Sequence, residues 1–247
     1  MKNHTQGDCP LVSVVTVVYN DETHVESTIL SVLNQTFQNI EYIIIDGGSK
    51  DATPSIINKY SDRLAFYISE KDNGVYDAMN KAIRVANGEW IIFMNSGDSF
   101  YEKETLEKVF SRYQDKGEGL IYGDFFMINQ RGAEDHYVKA LAQTTDKFVA
   151  DPSFHQAIFV RTSDMKAHPF DIRYKLIADY AYLYDLYKRN PGRHYTNTII
   201  CNYDGSGLSA STRLGLVKEN IRFFLSRGEY CKFLMNTAIY LKRSILG

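Results

Sequence analysis

Three cysteines, five prolines and one tryptophan are few for a chain of 247 residues, and each shortage closes off an architecture. Cys9, Cys201 and Cys231 are odd in number, far apart and in no C-x-x-C pair. Neither a disulfide framework nor a cysteine zinc site is indicated, and a reducing cytoplasm is the expected compartment. Scarce proline, with 16 glycines, excludes a collagen-like or low-complexity chain. A surplus of charge is also missing, because 28 Lys and Arg oppose 30 Asp and Glu for a formal charge of -2. No basic field exists to hold nucleic acid by counterion release, so nucleic acid is not an expected partner. Nowhere do apolar residues run uncharged for the length of a membrane span. The first ten residues, MKNHTQGDCP, lack an apolar core, so a cleaved secretion signal is not expected either.

What remains is an ordinary globular composition, 44% apolar and 23% charged, with an unusual 18 tyrosines and 14 phenylalanines. The length suffices for one large α/β domain. Leu11 to Tyr19 (LVSVVTVVY) is β-branched and nearly all apolar, as a strand buried on both faces of a parallel sheet reads. Asn20-Asp21 makes a turn, and Thr23 with Glu26 forms a capping box before a helix carrying Val25, Ile29, Val32 and Leu33. Glu41 to Asp46 repeats the strand, and Thr53-Pro54 starts a second helix. Val75, Met79, Ala82, Ile83 and Ala86 predict a third helix, closed by Asn87-Gly88 before a strand from Trp90 to Met94. This alternation predicts a doubly wound, mainly parallel sheet of Rossmann-like type. Beyond Asp98 the pattern loosens. A helix is expected around Leu106 to Tyr113, a strand over 119–128, a strand pair or loop up to Asp151, a helix over 177–188 and a strand over 194–202. We divide the chain into residues 1–210 as one domain and 211–247 as a helical C-terminal extension.

In a sheet of this kind, ligands sit beyond the carboxyl ends of the strands. Three strands end there in small polar clusters: Tyr19-Asn20-Asp21, Asp46-Gly47-Gly48-Ser49 and Asn95-Ser96-Gly97-Asp98. Together they predict one shared pocket. No G-x-G-x-x-G or G-x-x-x-x-G-K-[ST] follows the first strand, where YNDETH stands, so neither a dinucleotide fingerprint nor a P-loop cradles phosphate.

The segments SVVTVVYN (13–20), IIIDGGSKDAT (43–53), EKDNGVYDAMNKAIRVANGEWIIFMNSGD (70–98) and IADYAYL (177–183) resemble family 2 of the glycosyltransferases, enzymes of the GT-A fold. The resemblance is close over about the first 125 residues and looser to about 210. It implies transfer of a sugar, with inversion, from a nucleotide-sugar donor, UDP-type favoured. The acceptor implied is a hydroxyl of a glycan or lipid-linked sugar, in surface polysaccharide assembly of bacterial type. One divalent cation, Mn²⁺ or Mg²⁺, is implied as cofactor.

By the same resemblance Asp46 accepts a hydrogen bond from the nucleobase, in a slot walled by Thr16, Val18 and Tyr19 with Asn20 and Gly47 beside it. Asp77, Asn80 and Ser96 would line the donor, Asn95 would hold the ribose or complete the cation's shell as a neutral ligand, His155 would stand near the donor sugar or the acceptor, Asp98 would meet the metal and diphosphate, and Asp179 would be the general base. Most members carry two acids where Asn95-Ser96-Gly97-Asp98 keeps one, and Ala178 stands where Glu is common before the base. The reduced acid cluster leaves open a binding homologue without turnover. A nucleotidyltransferase would need a basic, Gly-rich loop that YNDETH does not supply. Tyr203 to Ser209 resembles a turn that closes over the donor. The C-terminal stretch mixes Lys218, Arg222, Arg227, Lys232, Lys242 and Arg243 with Phe, Leu and Ile. That mixture suits peripheral contact with the inner face of the cytoplasmic membrane, or packing on the domain or in a homo-oligomer.

Overall fold

The computed structural model describes residues 11–111, 113–129, 133–140, 155–189, 192–206 and 213–229. The chain opens with β1 (Val12–Val18), α1 (Val25–Leu33), β2 (Ile40–Asp46), α2 (Thr53–Asn58), β3 (Phe66–Ser69), α3 (Val75–Val85) and β4 (Trp90–Phe93). β1 lies between β2 and β4, β3 borders β2, and all four strands run parallel. The apolar runs of the sequence have a direct cause in this half. Val15, Val17, Ile43, Ile45, Ile91 and Phe93 enter one core layer, with α3. Val12, Val14, Val18, Tyr42, Ile44, Trp90 and Ile92 enter the other, with α1 and α2. Alternate residues face opposite layers, so most positions are apolar.

The second half adds β5 (Ser99–Phe100), α4 (Thr105–Phe110), β6 (Glu118–Ile128), β7 (His136–Val138), β8 (Ile158–Arg161), α5 (Thr162–Ala167), α6 (Ala178–Arg189), β9 (Gly192–Asp204) and α7 (Arg213–Ser226). The strand order is β3-β2-β1-β4-β8-β6-β9-β5, with β7 paired to β6. β8 enters antiparallel between β4 and β6, whereas β9 runs parallel to β6. β9 meets β6 so closely that a Cβ on Gly123 would stand 2.5 Å from the Thr198 carbonyl oxygen, which is why the strand interior tolerates a glycine there.

The doubly wound architecture is as the sequence implies, and several local expectations change. The Thr23/Glu26 capping box does not form: α1 starts after His24 without a side-chain cap, because Glu26 is drawn to Tyr60 Oη at 2.8 Å and Lys59 Nζ at 3.2 Å. α2 begins at Thr53 itself, after Ala52. Tyr113 lies past the end of α4. β7 supplies one strand of the expected pair in 128–151, and the rest of that stretch from 141 falls outside the described residues, as do Cys9, Cys231, Lys232, Lys242 and Arg243. α6 accounts for much of the tyrosine excess: Tyr182, Tyr184 and Tyr187 are buried in it. α7 packs Phe223 and Phe224 against Tyr180 and Tyr184 with ring centroids 5.3–6.3 Å apart, and Arg227 both pairs with Asp185 and lies 3.9 Å over Phe223. Among the described residues no helix is long and apolar enough to cross a membrane.

Candidate functional site

A cavity of about 410 Å³ opens where β1 and β4 end. Val17, Val18, Tyr19 and Asp21 line it from β1, and Asn95, Ser96, Gly97 and Asp98 from β4. His155 and Gln156, Lys175, Leu176 and Asp179, and then Tyr203, Asp204 and Ser206 complete the wall with the start of α3. Two of the three polar clusters, those that end β1 and β4, share one pocket, whereas the third, Asp46 to Ser49, does not line it.

The loop after β1 is held by side chains of the loop after β2. Asn20 takes a left-handed φ of 49°, its N–H donates to Ser49 Oγ at 2.7 Å, and its Oδ1 accepts from Lys50 N at 2.8 Å. Asp21 N–H donates to Thr53 Oγ1 at 3.0 Å. The Asp21 carboxylate then accepts from Ser96 Oγ at 2.6 Å and pairs with His24 Nδ1 at 2.7 Å. These bonds leave the Tyr19 ring 62% exposed at the cavity rim, a flat apolar surface of the kind on which a base stacks.

Six of the residues named from the sequence do not line the cavity, and each has a local occupation. Thr16 is buried in the sheet, donating to the Met94 carbonyl and bonding Tyr42 Oη. Asn20 belongs to the loop lacing above. Asp46 is fully buried and accepts from Ser49 N, from Ser49 Oγ at 2.5 Å and from Ser69 Oγ. Gly47 lies behind Tyr19, where an added Cβ would sit 2.5 Å from Asp72 Oδ2. Asp77 accepts from Asn73 N at 2.9 Å. Asn80 clamps the backbone of Phe170 at both its N–H and its carbonyl, at 3.0 and 2.9 Å.

Val18, Tyr19, Asn95, Ser96, Asp98, His155 and Asp179 do line the cavity. Asp98 is buried: its Oδ1 accepts from the N–H of Asp204 at 2.9 Å and its Oδ2 from Gln156 Nε2 at 3.1 Å. Burial pushes its carboxyl up to about 7, against the pull of those two hydrogen bonds and of His155. Gln156 Oε1 and Asn95 Oδ1 are buried here without a protein partner. Asp179 accepts from Tyr76 Oη at 2.6 Å on one oxygen and from His155 Nδ1 at 2.9 Å on the other. Burial works to raise its carboxyl, but the bond and charge of His155, with Tyr76 and the Tyr180 N–H, outweigh it and hold it below the usual carboxylate range. His155 Nε2 lies 3.3 Å from Asn95 Nδ2.

Sequence reasoning names Asp21 only within the cluster after β1 and Asp204 only within the Tyr203 to Ser209 turn, and it does not single out Tyr76 or Lys175. Asp21 and Lys175 carry a legible signal, one in the turn after β1 and the other four residues before Asp179. Lys175 Nζ donates to the Asn73 carbonyl at 2.9 Å, while the N–H groups of Lys175 and Leu176 donate to Glu219 of α7 at 2.8 and 2.9 Å. Nothing local marks Tyr76 or Glu219, whose contacts with Asp179 and with the loop before it arise only through the fold.

The sequence profile of glycosyl transferase family 2 matches residues 13–176. The PGL/p-HBAD biosynthesis glycosyltransferase Rv2957 of Mycobacterium tuberculosis is 28% identical over 233 residues, covering 84% of this chain and 87% of that protein. The putative glycosyltransferase EpsH of Bacillus subtilis is 32% identical over 151 residues, 54% of this chain and 43% of that one. Among solved structures, S. aureus TarS 1-349 in complex with UDP-GlcNAc superposes with a TM-score of 0.66 at 20% identity, over 91% of this chain and 72% of that one. The mannosyltransferase PcManGT of Pyrobaculum calidifontis, in complex with GDP-Man and Mn2+, gives 0.66 at 15% identity, over 94% and 70%. These two likenesses establish the fold.

Proposed function

The chain belongs to glycosyl transferase family 2, and from that premise we propose that it moves a sugar from a nucleotide-sugar to an acceptor hydroxyl with inversion. One observation carries the reading: a single cavity beyond the strand ends holds the buried Asp98 and the paired Asp179, with Tyr19 exposed at its rim. Inverting transfer needs a group that takes the acceptor proton and a second group that steadies the leaving diphosphate. Asp179 with His155 answers the first need and Asp98 the second. TarS bound to UDP-GlcNAc favours a UDP-type donor, and PcManGT bound to GDP-Man is the alternative to test.

A divalent cation fits the donor chemistry. Asp98 and the neighbouring Asp204 offer hard oxygen ligands, which suit Mg²⁺ or Mn²⁺ when phosphate oxygens and water complete the shell. Among the described residues no three His, Cys, Asp or Glu side chains converge, so the donor itself would supply part of the coordination. When bound, the cation would neutralise charge developing on the diphosphate. Asp46 is fully buried under the loop after β2, and in this proposal it braces that loop behind Tyr19 without itself meeting the nucleobase.

The acceptor we favour is a hydroxyl of a glycan or lipid-linked sugar in surface polysaccharide assembly. Exposed Lys218 and Arg222 on α7 support a face turned toward anionic lipid at the inner membrane surface. The test is a panel of UDP-, GDP- and dTDP-sugars, each with and without Mn²⁺, incubated with the protein and a lipid extract. Release of nucleoside diphosphate together with a glycosylated product is expected for one donor. Donor binding without product from any acceptor fraction would point to the homologue without turnover.

A further inference from the structure

We propose that the atom taking the acceptor's proton is Nε2 of His155, and that Asp179 acts behind it as the carboxylate that orients the ring and stabilises the imidazolium. The inference rests on the glycosyl-transfer reading and deepens it.

Three contacts fix the arrangement. The Asp179 carboxylate can only accept, so the 2.9 Å contact to His155 Nδ1 places the ring proton on Nδ1. In the neutral ring Nε2 then carries the lone pair, consistent with the amide N–H of Asn95 approaching it at 3.3 Å. That bond is long for N–H···N and easily exchanged for a better donor, such as a hydroxyl entering from the cavity that His155 and Asn95 both line. Tyr76 Oη holds the second carboxylate oxygen at 2.6 Å, and the edge of Phe93 meets the imidazole with centroids 6.3 Å apart. The ring is thus braced on its far side and open at Nε2. A nucleophile's base oriented by a third group is a recurrent design in acyl transfer; here the nucleophile would be the substrate's own hydroxyl. Each Asp179 oxygen already accepts one hydrogen bond, from Tyr76 or from His155, which stabilises the charged carboxylate and makes it a weaker base.

The step balances without any further reactant. The acceptor oxygen forms its bond to the anomeric carbon as its proton passes to Nε2. The bond from that carbon to the diphosphate oxygen breaks, its electron pair leaving with the nucleoside diphosphate. The imidazolium, paired with Asp179, later returns its proton to solvent.

His155→Gln and His155→Ala separate proton transfer from support. Gln can still donate to Asp179 but cannot accept the proton productively. We expect its kcat to fall on the order of 10²–10⁴-fold with the donor KM and the donor-induced thermal shift retained. In His155→Ala, added imidazole should restore turnover in a concentration-dependent way, and the His155→Ala/Asp179→Asn double variant should be little worse than either single one. Wild-type turnover by His155→Gln would overturn the proposal. So would an imidazole-insensitive His155→Ala that keeps more activity than Asp179→Asn. If the wild type transfers no sugar from any donor, the glycosyl-transfer reading itself fails, which is a separate result.

Discussion

The two halves of the sheet end in loops of different construction. At the ends of β1 and β2, backbone N–H groups of one loop are tied to side chains of the other: Asn20 to Ser49, Asp21 to Thr53, Glu22 to Asp51, and Ala52 back to Glu22. Buried Asp46 turns its oxygens inward to Ser49 and Ser69. In the second half, carboxylates meet side chains that can exchange protons or reorient, as Asp179 does with His155 and Tyr76. Backbone lacing fixes shape, whereas side-chain networks tune chemistry. A carboxylate at a strand end is therefore uninformative until its partners are known.

The comparison can be tested by breaking one half at a time. Asp179→Asn should cut transfer on the order of 10³-fold while the melting temperature and donor binding stay close to wild type, read by product formation and thermal shift. Unchanged turnover would erase the distinction. Asp46→Ala should do the reverse in the first half. Leaving Ser49 N and two hydroxyls without their acceptor costs about 1–3 kcal/mol, a drop of several degrees in Tm, so calorimetry should register it with residual turnover scaling only with the folded fraction.

Glu219→Ala sharpens the contrast from outside the cavity, since it removes the acceptor of the Lys175 and Leu176 N–H groups four and three residues before Asp179. We expect kcat to fall about tenfold, equivalent to ~1.4 kcal/mol, with donor KM unchanged in initial-rate kinetics. The smallest effect concerns Asp98. Its carboxyl is raised to about 7 by burial, so the folded state binds its proton more tightly than the unfolded state does. The group's contribution to stability accordingly falls as pH rises from the ordinary carboxylate range through about 7. Metal-free Asp98→Asn should gain in Tm relative to wild type at pH 8 and lose that gain toward pH 5, while Mn²⁺-dependent transfer is lost.

How much of this was legible in the sequence follows from the same contrast. LVSVVTVVY, EYIIID and WIIFM read as strands because both faces of each are buried, so polar residues are few in the runs and the buried Ser13 and Thr16 are each hydrogen-bonded. β3 has no such run: at the sheet edge it exposes Phe66 and Ser69, and β5 is two residues long. Three polar strand ends in the sequence point to a shared pocket, and two of them, after β1 and β4, line the cavity together with Asp98, His155 and Asp179, while Asp46 to Ser49 do not. The resemblance puts Asp77 and Asn80 at the sugar, but a motif match cannot tell a side chain facing a ligand from one facing the protein's own backbone. Asn80 faces Phe170 and Asp77 faces Asn73. Likewise the pairing of His155 with Asp179 spans 24 residues and depends on how β8 and α6 pack, which no local pattern encodes.

The bond from Glu219 to the loop before Asp179 also sets an order in time. During synthesis the parallel half, with its laced loops and Tyr19, emerges long before α7. Until α7 has been made, the loop that leads into α6 and Asp179 lacks the anchor that Glu219 provides. Competence for transfer then arrives late, once Phe223 and Phe224 have docked and Glu219 has taken hold of Lys175 and Leu176, so a partly made enzyme would not spend its donor.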